Sequence, residues 1–278
     1  MSAQVVALHT YPIKGCAGTA LTDALLTSAG ISHDRTFMIV DERGVFRSQR
    51  RDPQLATIRP EILADGRELV LHAPGAESLS IPVDLEATRR PVEMFGNPYR
   101  GIDQGDPVAE WLTAVLGKGS RLVRVPPEHD RVTDGETLGS AGYADSGALL
   151  LVSRASWAEL DRRIADRGAA AVPMDRFRAN VVVDGLAEPH AEDQVREAAV
   201  GDAELGFAKL AVRCAVTMVD QHTGVRVGPE PLRTLAGYRR VTAKGVAFGA
   251  KFSVLRPGRI AVGDELVVRR RACAAVTA

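Results

Sequence analysis

Short apolar runs broken by Gly, Pro and Asp dominate the chain, and their period is two more often than 3.6. In the first hundred residues the runs at 5–8, 36–40, 56–58, 69–72, 79–83 and 90–94 each read as a strand. DERG at 41–44 separates FMIV from VFRS, so the two predict a hairpin, with Gly44 free to take positive φ at the reversal. Further strands are expected at 121–125, 181–183, 204–210, 252–255 and 265–268, the last forming a closing pair around Gly263-Asp264. Two segments break the pattern. Asp106 reads as the N-cap of a helix through 107–112, with Pro107 in the first turn. Residues 153–167 carry Trp157, Leu160 and Ile164 at helical spacing behind Ser153 or Ser156 as cap. The fold class is therefore mainly β with flanking helices (α+β), and no internal repeat or low-complexity tract interrupts it.

Composition narrows the function classes. With 35 basic and 35 acidic residues, the formal charge is zero, so no global attraction to nucleic acid or anionic lipid is expected. Anion binding, if any, has to come from local clusters. No run approaches the roughly 20 apolar residues of a membrane span, and no signal peptide opens the chain. Cys16, Cys214 and Cys273 are odd in number and far apart, which is not a disulfide framework. A cytoplasmic protein without nucleic-acid or membrane partners, and monomeric, is expected.

RCAVTMVDQHTG at 213–224 holds the most pointed chemistry. Arg213 beside Cys214 favours a thiolate, the form in which sulfur binds soft metals. A free cysteine is also commonly a small buried hydrophobe, and the local sequence leaves both readings open. In RFRAN, alternation in an extended stretch would put Arg178 and Asn180 on one face, a guanidinium beside an amide. Lys14 follows Pro12 at a strand-to-loop corner, and Gly15 would let the backbone come close to an anion. Asp145, Asp220 and Thr223-Gly224 read equally well as turn formers, and His222 is a lone histidine with no catalytic role expected.

Five segments in order, YPIKGCAG (11–18), DRTFMIVDERGVFRSQRRDPQLATI (34–58), MDRFRANVVV (174–183), RCAVTMVDQHTG (213–224) and FGAKFSVLRPGRIAVGDELVV (248–268), make the sequence similar to the molybdenum cofactor sulfurase C-terminal (MOSC) domain family, in its amidoxime-reducing branch. The resemblance covers about residues 4–268. It implies an N-terminal MOSC-associated β-barrel-like domain at 1–120, a hinge near 117–120, a MOSC β-barrel domain at 121–271 and a tail at 272–278. It implies molybdenum cofactor (Mo-molybdopterin) as cofactor, with Cys214 as metal ligand and catalytic residue. Lys14, Gly15, Arg35, Asp145, Ser146, Arg178, Asn180 and Arg213 would join Cys214 in holding it. Ser146-Gly147-Ala148 departs from the family's usual aromatic and proline-containing run, Gly15 stands where relatives often have serine, and Cys16 is expected to pack.

The implied activity is an oxidoreductase that reduces small N-hydroxylated substrates such as amidoximes, hydroxylamines and N-hydroxylated bases. Three cysteines and no Gly-rich dinucleotide fingerprint leave electron supply to a separate reductase or small redox protein. The other functions implied are a cofactor carrier or sulfur-transfer protein, the latter usually needing a pyridoxal-phosphate module for which 278 residues leave no room. A cofactor-free structural barrel is the third reading.

Overall fold

A computed structural model describes residues 3–242 and 245–272; Cys273 and, beyond Ala272, the expected tail lie outside them. Seven strands close a barrel in the order Leu149–Ser153, Val181–Asp184, Ala3–Thr10, Glu265–Arg271, Val195–Val200, Ala203–Arg213, Gly245–Arg256, with the last bonded back to the first. All neighbours run antiparallel except Leu149–Ser153 and Val181–Asp184. A parallel pair needs a crossover, and the helix Arg154–Ala165 lies within that connection. Its cap is Ser153, whose Oγ accepts from Ser156 N at 3.1 Å, while buried Glu192 accepts from both hydroxyls at 2.7–2.9 Å.

The run LLLVS is apolar without alternation because both of its faces are covered. Leu149 and Leu151 face the barrel interior with Val5, Val183, Leu205 and Phe252. Leu150 and Val152 face outward onto Leu160 and Ile164 of the helix.

The other half wraps a second core. A sheet ordered Arg89–Met94, Asn97–Asp103, Ser120–Arg124, Phe37–Asp41, Ile13–Lys14 packs with the meander Arg59–Leu63, Glu68–His72, Leu79–Pro82. Ile13, Phe37 and Leu122 from the first meet Leu69, Leu71 and Ile81 from the second, and Val108, Leu112 and Leu116 of the helix Asp106–Leu116 close the core. Strands are shared across the expected boundary at 120/121. Ala3–Thr10 belongs to the barrel, and Asp23–Thr27 pairs with Gly258–Ala261. Instead of hinging, Gly117 ends its helix at φ 64°, and Ser120–Arg124 pairs along the whole of Phe37–Asp41.

Three local expectations are corrected. Residues 56–58 are not a strand, because Pro53 starts a short 3-10 helix, Pro53–Thr57, that buries Leu55 and Ala56. Gly105, at φ 91°, is the N-cap in place of Asp106, whose carboxylate instead accepts from Arg121 at 2.9 Å. The closing strands Gly258–Ala261 and Glu265–Arg271 do not pair with each other. Gly263 at φ 98° sends them to different sheets, and the turn docks on Val5 by two backbone hydrogen bonds of 2.8 and 2.9 Å.

Candidate functional site

Where the two cores meet, a cleft is lined by Lys14, Arg35, Arg47, Arg50, Arg178, Arg213 and Lys251, with Asp145 the one carboxylate among its lining residues. Cys214 lines the same cleft and is partly accessible. Arg35 is paired with Asp34 and Arg47 with Asp52, yet the lining keeps an excess of positive charge suited to an anion, and a thiol inside it can meet whatever the anion brings.

Tyr11 organises the floor. It is buried, its hydroxyl donates to Ala179 O at 3.2 Å, and its backbone N–H donates to Asp34 Oδ1 at 2.8 Å. The guanidinium groups of Arg35 and Arg178 each lie 4.3 Å from its ring centroid. Burial pushes the Tyr11 phenol up to about 12, so the ring stays neutral between two cations. Arg35 is further tied to Asp34, to Asn180 Oδ1 at 3.0 Å and to Arg178 O at 3.2 Å.

Arg178 is not in the extended conformation that alternation predicts. It ends the 3-10 helix Met174–Phe177 at φ 55°, its N–H bonded to Asp175 O at 3.0 Å. Arg35 also has positive φ, 47°. Such backbone is costly for a residue with a Cβ and persists where the surroundings enforce it, commonly at functional sites. Asn180, 1% exposed, has its side chain fully engaged as a strut: Nδ2 donates to His9 O, and Oδ1 accepts from Leu150 N and Arg35. It lines the cleft while holding the barrel wall.

Lys14 donates to Tyr143 O at 2.9 Å and pairs with Asp145 at the exposed rim. Gly15, at φ 84°, presents its carbonyl to Gln49 Nε2 at 2.7 Å. Gln49 and Gln221 exchange amide hydrogen bonds of 3.0 and 3.1 Å, and Gln221 Oε1 also takes Arg178 Nη1 at 3.2 Å, so the corner at 14–15 is linked to the loop after Cys214. Ser146 is not a lining residue; its Oγ accepts from Lys251 at 2.6 Å. Cys214 caps the 3-10 helix Ala215–Met218 through its carbonyl, bonded by Thr217 N and Oγ1. Asp220 builds a turn with His222 and Thr223, and His222 is exposed beside Asp175. Cys16 packs in the N-terminal core, where burial pushes its thiol up to about 12.

Lys251, Arg47, Arg50, Tyr11, Gln49, Gln221, Phe46 and Phe95 were given no role by sequence reasoning. All but Phe95 sit in the matching motifs, and for Lys251 a lysine amid the apolar alternation of AFGAKFSV was the available signal.

The cleft holds donors still to be matched. Arg178 Nη2 and Arg213 Nε are buried without a hydrogen-bond partner, although Arg213 Nη2 donates to Phe177 O at 2.7 Å. A buried guanidinium N–H without an acceptor is costly, and an anionic ligand would supply the acceptors. Burial, followed by Arg35, lowers Arg178 to about 10; burial, partly offset by Asp145 and reinforced by Arg213, Lys209 and Lys14, brings Lys251 down to about 8.

That value sets a pH dependence. Lys251 is charged below about 8 and loses its proton above, so sulfate, whose own charge is constant over this range, should bind less tightly as pH rises from 7 to 9. Calorimetric titration across that range should show the weakening, and Lys251→Met should flatten it.

Known proteins match this architecture. The MOSC N-terminal beta barrel domain matches residues 2–119 and the MOSC domain residues 139–267. Mitochondrial amidoxime-reducing component 1 of Homo sapiens is 31% identical over 282 residues, spanning 94% of this chain and 82% of that protein. Component 2 of Rattus norvegicus is 31% identical, spanning 92% and 80%. The molybdenum cofactor sulfurase of Danio rerio is 31% identical over 84% of this chain but 30% of its own length.

Proposed function

The chain belongs to the MOSC-domain family, and from that premise we propose that it is a molybdenum-cofactor-dependent reductase of small N-hydroxylated compounds. The observation that carries this reading is the convergence of seven cations and the Cys214 thiol on one cleft. The fit to the cofactor is chemical as well as topological. A phosphate answers the buried N–H groups of Arg178 and Arg213 that lack partners, and a thiol in cationic surroundings suits a metal that prefers sulfur.

Lys14, Arg35, Arg178 and Arg213 would hold the phosphate and pterin, the Gly15 backbone would flank them, and Cys214 would hold the metal. When bound, the cofactor supplies two-electron oxygen-atom chemistry at molybdenum. The protein's own share is binding and orientation. Tyr11 fixes two guanidinium planes, the Gln49–Gln221 pair fixes the loop that follows the thiol, and Leu149, Leu150, Phe177 and Val216 give the cleft an apolar wall that limits water. Electrons would come from a separate reductase or small redox protein. For an amidoxime the balance is two electrons and two protons in, an amidine and one water out.

The test uses chain produced in a host that makes the cofactor, a chemical reductant and benzamidoxime. Molybdenum near one per chain with benzamidine formed supports the reductase. Full loading with no product from benzamidoxime or from any other amidoxime or hydroxylamine supports the carrier reading, which the partial match to molybdenum cofactor sulfurase favours.

A further inference from the structure

One wall of the cleft is unlike the rest. Phe46 and Phe95 stand in it with ring centroids 4.7 Å apart and planes at 64°, an edge-to-face pair. Phe95 sits at the tip of the hairpin formed by Arg89–Met94 and Asn97–Asp103, followed by Gly96. Both tip residues have positive φ, 55° and 78°. That is the backbone of a tight primed turn, whose first central position favours Asn, Asp or Gly and penalises a bulky aromatic residue.

Local packing does not explain the ring. Phe95 is 42% exposed, and the turn beside it is open, since a Cβ on Gly96 would meet nothing within 4 Å. The ring is nevertheless held in place. Lys14 Nζ lies 4.9 Å from its centroid and 5.5 Å from that of Phe46, and the Arg50 guanidinium lies 5.5 Å from Phe95. Of seven non-glycine residues with positive φ among the described residues, three, Arg35, Arg178 and Phe95, line this one cleft. Two of them present guanidinium groups; the third presents an aromatic face.

We infer that Phe95, braced by Phe46, is the specificity-determining wall of the site and selects N-hydroxylated compounds carrying a planar aryl or heteroaryl group over alkyl ones. The inference rests on the reductase reading for its chemistry but not for its binding geometry. A flat, partly exposed ring lining the same cleft as the thiol offers stacking to a flat ligand and little to a small alkyl group, whose burial would leave much of the ring wet.

The test compares benzamidoxime with acetamidoxime on the cofactor-loaded wild type, Phe95→Asn and Phe95→Leu. Asparagine tolerates the left-handed backbone, so that variant should fold; leucine keeps apolar bulk without a stacking face. The aryl-to-alkyl ratio of kcat/KM should fall about tenfold in Phe95→Asn and by less in Phe95→Leu. In parallel, calorimetric binding of benzamidoxime under non-reducing conditions should weaken by a similar factor, whether or not the protein turns over. A preserved ratio and preserved binding overturn the inference. So does loss of molybdenum from Phe95→Asn with both substrates affected equally, which would make the ring a cofactor contact. Absence of turnover in the wild type would sink the reductase reading alone, because the binding comparison would still decide the role of Phe95.

Discussion

Cys214→Ser is expected to fold, and to lose at least about 100-fold in amidoxime turnover, since substitutions merely behind a metal ligand already cost 10–100-fold. Folding should survive because serine is a good cap residue and the capping bonds at 214 run to the backbone carbonyl, which the substitution keeps. What disappears is the soft donor. A hydroxyl is a poor ligand for a metal that prefers thiolate, so activity should fall further than protein yield or circular dichroism. Cys16 provides the control. It lies in the N-terminal core with its thiol raised by burial, so Cys16→Ala should cost stability while leaving turnover per molybdenum close to wild type. Turnover in Cys214→Ser within about tenfold of wild type would remove the thiol from the chemistry.

The two cysteines also mark how far the sequence could be read. Local chemistry left Cys214 as packing or ligand, while Cys16 was expected to pack; in the fold Cys16 is sealed in the core with Leu55 and Ile58, and Cys214 opens onto the cleft. Strands were legible because alternation survives wherever one face is wet, as at 69–72 and 90–94. The failures have physical causes. Residues 56–58 are apolar because they cover a core as a 3-10 turn, and periodicity over three residues cannot tell that from a strand. Alternation in RFRAN suggested a shared face for Arg178 and Asn180, but a left-handed residue breaks the alternation where it matters, and the two meet the site through different bonds.

Phe95 gave no signal, and Lys251 only that of a lysine in an apolar run, for another reason. Each comes from a hairpin tip or strand that reads as ordinary, and only the closing of the barrel brings residues from 14 to 251 onto one surface. Nor could the sequence reveal that the first strand completes the C-terminal barrel. Pairing of Ala3–Thr10 with Val181–Asp184 is a contact across more than 170 residues, with no local pattern to announce it.

Arg178→Met is expected to move two quantities in opposite directions. Arg178 is 8% exposed, remains protonated at neutral pH with its value lowered to about 10 by burial and Arg35, and leaves Nη2 without an acceptor. Replacing a buried, incompletely paired charge by an apolar side chain of similar length removes its desolvation cost. The cofactor-free chain should therefore melt no lower than wild type, and higher if relief of the Arg35 repulsion outweighs the lost bond to Gln221. Cofactor binding should move the other way. Losing one buried, hydrogen-bonded charge partner of a phosphate typically costs about 2–5 kcal/mol, which is roughly 30-fold or more in affinity. Molybdenum and pterin per chain should then fall sharply after dialysis. Arg178→Lys should recover only part of the loading, because an ammonium cannot lie flat on Tyr11 and reach Gln221 with a planar fork. If Arg178 were only a brace of the fold, the signs would reverse, with the cofactor-free protein destabilised and loading per folded chain intact. Thermal melts and elemental analysis on the same preparations separate the two.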